Sequence, residues 1–140
     1  RPDDQRAFPR AVISCLDHVH PDVMITQDHL LLDAYKARDI AAQICRKAFG
    51  MTRLNWAQLG NLTSDPEKEH AHYHFMPTYK DTFYLEGEAY RDDRFGKALN
   101  IDPEMGYVKK CPSEAMLSSL KKTMQTVGLE LGVLTAEMLL

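Results

Sequence analysis

Apolar and polar positions along this chain switch between the two-residue period of strands and the three-to-four-residue period of helices. After a polar, proline-containing start, Ala11-Val12-Ile13-Ser14-Cys15-Leu16 is a short, partly β-branched apolar run. It predicts a buried strand, ended by Pro21. Leu30, Ala34, Ala37, Ala41, Ile44 and Ala48 then recur every three or four residues and predict a long helix over 26–49. Thr26 is placed to cap it, Asp28 lies in its first turn, Arg46 and Lys47 suit the dipole of its last turn, and Gly50 ends it.

Leu54, Trp56 and Gln58 alternate with Asn55, Ala57 and Leu59 in a second strand, closed by a turn at Gly60-Asn61. The charged, proline-broken Asp65-Pro66-Glu67-Lys68-Glu69 reads as a solvated connection. A third strand is expected from His70 to Met76, ending at Pro77. Residues 78–100 show no clear period and read as loop with one short strand near 82–85. Pro112-Ser113 opens a second helix over 113–128, with Met116, Leu117, Leu120, Met124 and Val127 on one face and Lys121 and Lys122 toward water. That helix is expected to pack on the sheet. The pattern as a whole predicts an α+β fold, with an antiparallel sheet, one long helix and a C-terminal helix.

Length and charge narrow the picture further. At 140 residues the chain suits one domain, taken as 1–140. An apolar share of 44% with 26% charged residues argues against disorder. The apolar tail from Val127 to Leu140 is interrupted by Glu130, Gly132, Thr135 and Glu137, so no membrane span is expected. Seventeen Lys and Arg against twenty Asp and Glu leave a net charge of −3, and no global field draws in nucleic acid or anionic lipid. Cys15, Cys45 and Cys111 are odd in number and lack CxxC spacing, which predicts neither a disulfide framework nor a cysteine zinc site and fits a reducing cytoplasm.

The chemistry concentrates in His70-Ala71-His72-Tyr73-His74-Phe75-Met76-Pro77. In a strand His70, His72 and His74 share one face at a spacing of about 6.6 Å, and Ala71, Tyr73 and Phe75 take the other. A wet face and a packed face are expected. Clustered imidazoles place nucleophile and acid side by side near neutral pH. Three readings follow. His70 and His72 bind a metal, with a third histidine or a carboxylate such as Glu67 or Glu69 converging on them; the histidines are structural; or they carry phosphoryl or nucleotidyl transfer with a neutral imidazole attacking phosphorus.

His70 to Pro77 resembles the signature of the histidine-triad (HIT) family, His-x-His-x-His followed by two apolar residues and often Pro. The likeness extends over roughly residues 9–125. Arg10 to Val19 is similar to the family's strand upstream of the triad, and the helix at 26–49 holds the long-helix position. Asn55-Trp56-Ala57-Gln58-Leu59-Gly60-Asn61 resembles the Asn-x-x-x-Leu-Gly-Asn strand of a bacterial-type branch. Pro77-Thr78-Tyr79-Lys80 and Phe95-Gly96-Lys97 also look familial.

The resemblance implies an enzyme, a nucleotide phosphohydrolase or nucleotidyl transferase acting at the α-phosphate of a dinucleoside polyphosphate or nucleoside phosphoramidate. His72 would be the nucleophile, one ring nitrogen oriented by a backbone carbonyl. His74 would contact phosphate and assist leaving-group protonation, with His70 supporting the array. Asn61 matches an asparagine near the family's phosphate site. The chain departs from the family in the loop Ser64 to Glu69, where Lys68 would supply a cation against the carboxylates of Glu67 and Glu69, and at Thr78, which stands where a basic residue is usual. About ten residues precede the first strand, where many relatives carry a base-holding hairpin. No obligatory cofactor and no protein-bound metal are implied, although a divalent metal can arrive with the substrate, and a homodimer is expected. A catalytically weak nucleotide-binding protein and a metal-dependent hydrolase are the alternatives. His18 reads as structural, His29 as surface, and Trp56, Met116 and Met124 as packing residues.

Overall fold

The computed structural model describes residues 11–15, 19–58, 70–92, 95–96 and 113–139. They form an α+β fold. Strand β1 (Ala11–Ser14) leads into a short helix α1 (Pro21–Thr26) and the long helix α2 (Asp28–Phe49). Then come β2 (Arg53–Ala57), β3 (His72–Thr78), a hairpin of β4 (Phe83–Leu85) and β5 (Glu88–Tyr90), helix α3 (Glu114–Glu130) and a 3-10 turn at Ala136–Leu139. Among the described residues no helix is long and apolar enough to cross a membrane.

β3 is the central strand of an antiparallel sheet ordered β1-β3-β2. Ala11 pairs with Phe75 and Ser14 with His72 on one side, and Arg53 pairs with Thr78 and Ala57 with His74 on the other. The strand does not end at Pro77 as the sequence suggests. Pro77 still pairs with Leu54, and the described part of β1 stops opposite Phe75, so the missing proline N–H breaks no described β1 bond. β1 is also not a buried strand: Val12 is 53% exposed and Ala11 and Ser14 face water, because only Ile13 of its side chains packs against the core.

Helix α2 follows its apolar spacing. Ala34, Ala42, Ile44, Cys45 and Phe49 are buried, and Gly50, in the left-handed region at φ 69°, closes it with its N–H on the Arg46 carbonyl at 3.1 Å. Its start differs from expectation. Thr26 does not cap it but ends α1, donating its hydroxyl to the Asp22 and Val23 carbonyls, while Gln27 takes the cap position of α2. Pro21 explains the extra helix: its fixed φ suits a first helical turn as well as a strand end, and the His20 ring accepts from the Asp22 N–H at 3.3 Å to cap it.

The second helix, α3, is capped by Ser113, whose hydroxyl accepts from the Met116 N–H at 3.2 Å. It packs mainly on α2 and touches β4, rather than lying on the three-stranded sheet. Met116, Leu120 and Met124 reach the core, but Leu117, expected on that face, is 48% exposed. At Gly128 an added Cβ would collide with Leu134 and sit 3.0 Å from Ile44, so the absence of a side chain permits the close approach of α3 to α2. Strand β5 leaves no periodic signal in the sequence, since each hairpin arm has only three residues. Its two-residue turn places both Glu86 (φ 51°) and Gly87 (φ 77°) in the left-handed region, and Phe83 stacks on Tyr90 at 5.2 Å.

Two apolar clusters meet at Trp56. One joins Cys45, Phe49, Phe75, Tyr79 and the hairpin; the other joins Met24, Ala34, Ala71 and Tyr73. Burial pushes the Cys45 thiol up to about 11, against smaller opposing effects of Tyr79 and Arg46, and raises the Tyr79 hydroxyl beside it for the same first reason.

Two outcomes follow from these features. A glutamate with positive φ pays a steric cost that asparagine tolerates, so Glu86→Asn should raise stability by about 0.5–1 kcal/mol, read as a higher urea midpoint. An acid whose folded pKa is raised contributes stability in full below its unfolded value and loses it as pH climbs to the folded one. Unfolding free energy should therefore drop between pH about 9 and about 11 by up to about 2–3 kcal/mol. Urea titrations of Cys45→Ala, itself less stable at neutral pH, should show a smaller alkaline drop.

Candidate active site

The alternation of β3 builds the site. Ala71, Tyr73 and Phe75 are buried toward α2, so the intervening histidines are forced onto the opposite face. The three imidazoles form a continuous row: the His70 and His72 centroids are 5.2 Å apart with planes at 41°, and His72 and His74 are 5.0 Å apart, edge to face at 76°. These spacings are shorter than the backbone repeat, so the rings lean together rather than splay.

The row is not uniformly wet. His70 is exposed, His72 half-buried, and His74 only 8% exposed. This corrects the expectation of a solvated face. His74 lies where β3 is flanked on both sides, by Val12 of β1 and Ala57 of β2, whereas His72 has Ser14 opposite it on β1. His70 precedes the strand.

A backbone contact orients the middle ring. His72 Nδ1 lies 3.1 Å from the His70 carbonyl oxygen. A carbonyl only accepts, so in the neutral ring Nδ1 carries the hydrogen and Nε2 keeps its lone pair. The start of β3 is itself tied down, since the Ala71 N–H donates to the Val19 carbonyl at 2.6 Å. On the packed face Tyr73 stacks on Trp56, centroids 4.6 Å apart and planes within 7°. Trp56 is thus a core residue on the face opposite the histidines, and its buried indole N–H has no hydrogen-bond partner among the described residues.

The other expected site residues divide in two. Asn61 and Lys68, with Glu67 and Glu69, lie outside the described residues, as do His18 and Cys111. His29 is exposed near the start of α2, and His20 caps α1. Met116 and Met124 pack against the core. Among the described residues no group of three or more His, Cys, Asp or Glu is arranged to hold a metal ion. Ser14 belongs to no histidine motif, and only the strand register reveals it beside His72.

Protein-family models, characterised proteins and solved structures yield no match to this chain. If the His70 carbonyl holds the ring, long-range proton–nitrogen correlation spectra should show neutral His72 protonated at Nδ1. A dominant Nε2-protonated form would contradict the contact.

Proposed function

We propose that this chain is an enzyme of the histidine-triad type, a nucleotide hydrolase or nucleotidyl transferase acting at the α-phosphate of a nucleotide conjugate through His72. The observation that carries the reading is the His70 carbonyl on His72 Nδ1, which leaves Nε2 as a nucleophile in the centre of a row of imidazoles. A metal-dependent hydrolase would instead take His70 and His72 as ligands and need a carboxylate or third histidine converging on them.

In the first half-reaction the Nε2 lone pair forms a bond to phosphorus. The bond from phosphorus to the leaving oxygen or nitrogen breaks, and its electron pair departs with that group, which takes up a proton. His74, edge-on to His72, is the proposed proton donor, and its enclosure keeps competing water away from that side. In the second half-reaction water adds to phosphorus and gives its proton to His74, restoring the one lost to the leaving group, and the nitrogen–phosphorus bond returns its pair to Nε2. The His70 carbonyl accommodates the charge gained by the ring while it is bonded to phosphorus, because the Nδ1–H···O contact strengthens as the ring becomes cationic. Asn61 and Lys68 are the proposed phosphate contacts from the connection before β3.

The test uses adenylyl and guanylyl conjugates, including a nucleotidyl p-nitrophenyl ester whose leaving group needs no proton. His72→Ala should lower hydrolysis on the order of 10⁴-fold. His74→Ala should impair conjugates with poor leaving groups far more than the nitrophenyl ester, and intact-mass measurement during its turnover should reveal one added nucleotidyl unit. Unchanged hydrolysis in His72→Ala would overturn the reading.

A further inference from the structure

We propose that the Ser14 hydroxyl is a substrate-binding donor on the β1 side of His72, giving its hydrogen to one non-bridging oxygen of the phosphoryl group; this rests on the nucleotidyl-histidine reading above. Ser14 and His72 are directly opposed in the antiparallel ladder. Such partners project from the same face with Cβ atoms about 4.5–5.5 Å apart. Ser14 is exposed and makes no side-chain hydrogen bond among the described residues, so its hydroxyl is not consumed by packing or by a turn.

The placement is selective along the strand. Two residues earlier, Val12 sets methyl groups opposite His74, so the hydroxyl stands beside the half-buried nucleophile and not beside the enclosed ring. Nor is it needed to orient His72, whose Nδ1 is already held by the His70 carbonyl. When Nε2 bonds to phosphorus, negative charge gathers on the non-bridging oxygens. A donor fixed on a neighbouring strand stabilises that charge with little reorganisation. A serine hydroxyl carries a single hydrogen, so it serves one of the two non-bridging oxygens and distinguishes them. The proposal thus assigns a stereochemical preference at phosphorus to β1.

The experiment compares the full chain with Ser14→Ala, Ser14→Thr and His72→Ala. Substrates are an adenosine 5′-phosphate p-nitrophenyl ester and the two diastereomers of its α-phosphorothioate, and AMP binding is followed separately through the histidine ring signals. Ser14→Ala should leave the thermal midpoint unchanged, lower kcat/KM for the phosphate ester about tenfold, shrink the rate ratio between the diastereomers and weaken AMP binding. Ser14→Thr, which keeps a hydroxyl in a strand-compatible side chain, should restore all three.

Turnover that depends on His72 but shows the same diastereomer ratio and AMP affinity in Ser14→Ala overturns the Ser14 assignment and leaves the nucleophile standing. Absence of turnover together with Ser14-dependent AMP binding overturns the hydrolase reading and supports the donor. No AMP binding and no turnover overturns both.

Discussion

The burial of Tyr73 and Phe75 beneath α2 is the constraint on which the site depends. Each of these rings is worth roughly 1.5–3 kcal/mol when removed from water, and Tyr73 adds its stack on Trp56. Slipping β3 by one residue would turn both rings to the outer face and drive His72 and His74 beneath α2, replacing two favourable burials with two unfavourable ones. The phase of the strand is therefore set by its apolar half. The polar half takes its place from that phase, which sets neighbouring imidazoles about 5 Å apart along the row, and the His70 carbonyl then orients the middle ring.

Along this row the neighbouring strands create three different environments from one residue type. His70 lies before the ladder and stays open, His72 has a hydroxyl-bearing neighbour, and His74 is walled by Val12 and Ala57. Function, on the proposed reading, arises from that gradient: the ring that must meet substrate is partly exposed and has a fixed tautomer, and the ring beside it is shielded from water. The tie between Ala71 and Val19 links the open end of the row to the segment that enters α1. Nothing in this arrangement draws on the buried Cys45–Tyr79 pair, whose raised pKa values mark it as a neutral part of the core.

Much of this was legible in residue spacing. The alternation in Ala71, Tyr73 and Phe75 places the histidine face correctly, and the three-to-four-residue recurrence with Gly50 gives the extent of α2 to within two residues. What was not legible is tertiary. Proline at 21 is compatible with ending a strand and with opening a helix, and the choice was made by packing of Met24 in the second cluster. The hairpin arms are too short for periodicity, and the Glu86-Gly87 turn has glutamate where asparagine or glycine is the usual signal. The burial of His74 and the proximity of Ser14 to His72 both come from strand register, a property of pairs of segments that no single segment encodes.

The glycine at 128 shows how far a small local vacancy reaches. Helix α3 is keyed into α2 at a notch occupied jointly by Ile44 and Leu134, so the tail after the helix is fastened by a residue that α3 omits rather than by one it supplies. Any branch grown at that notch must evict Leu134 before it can disturb Ile44.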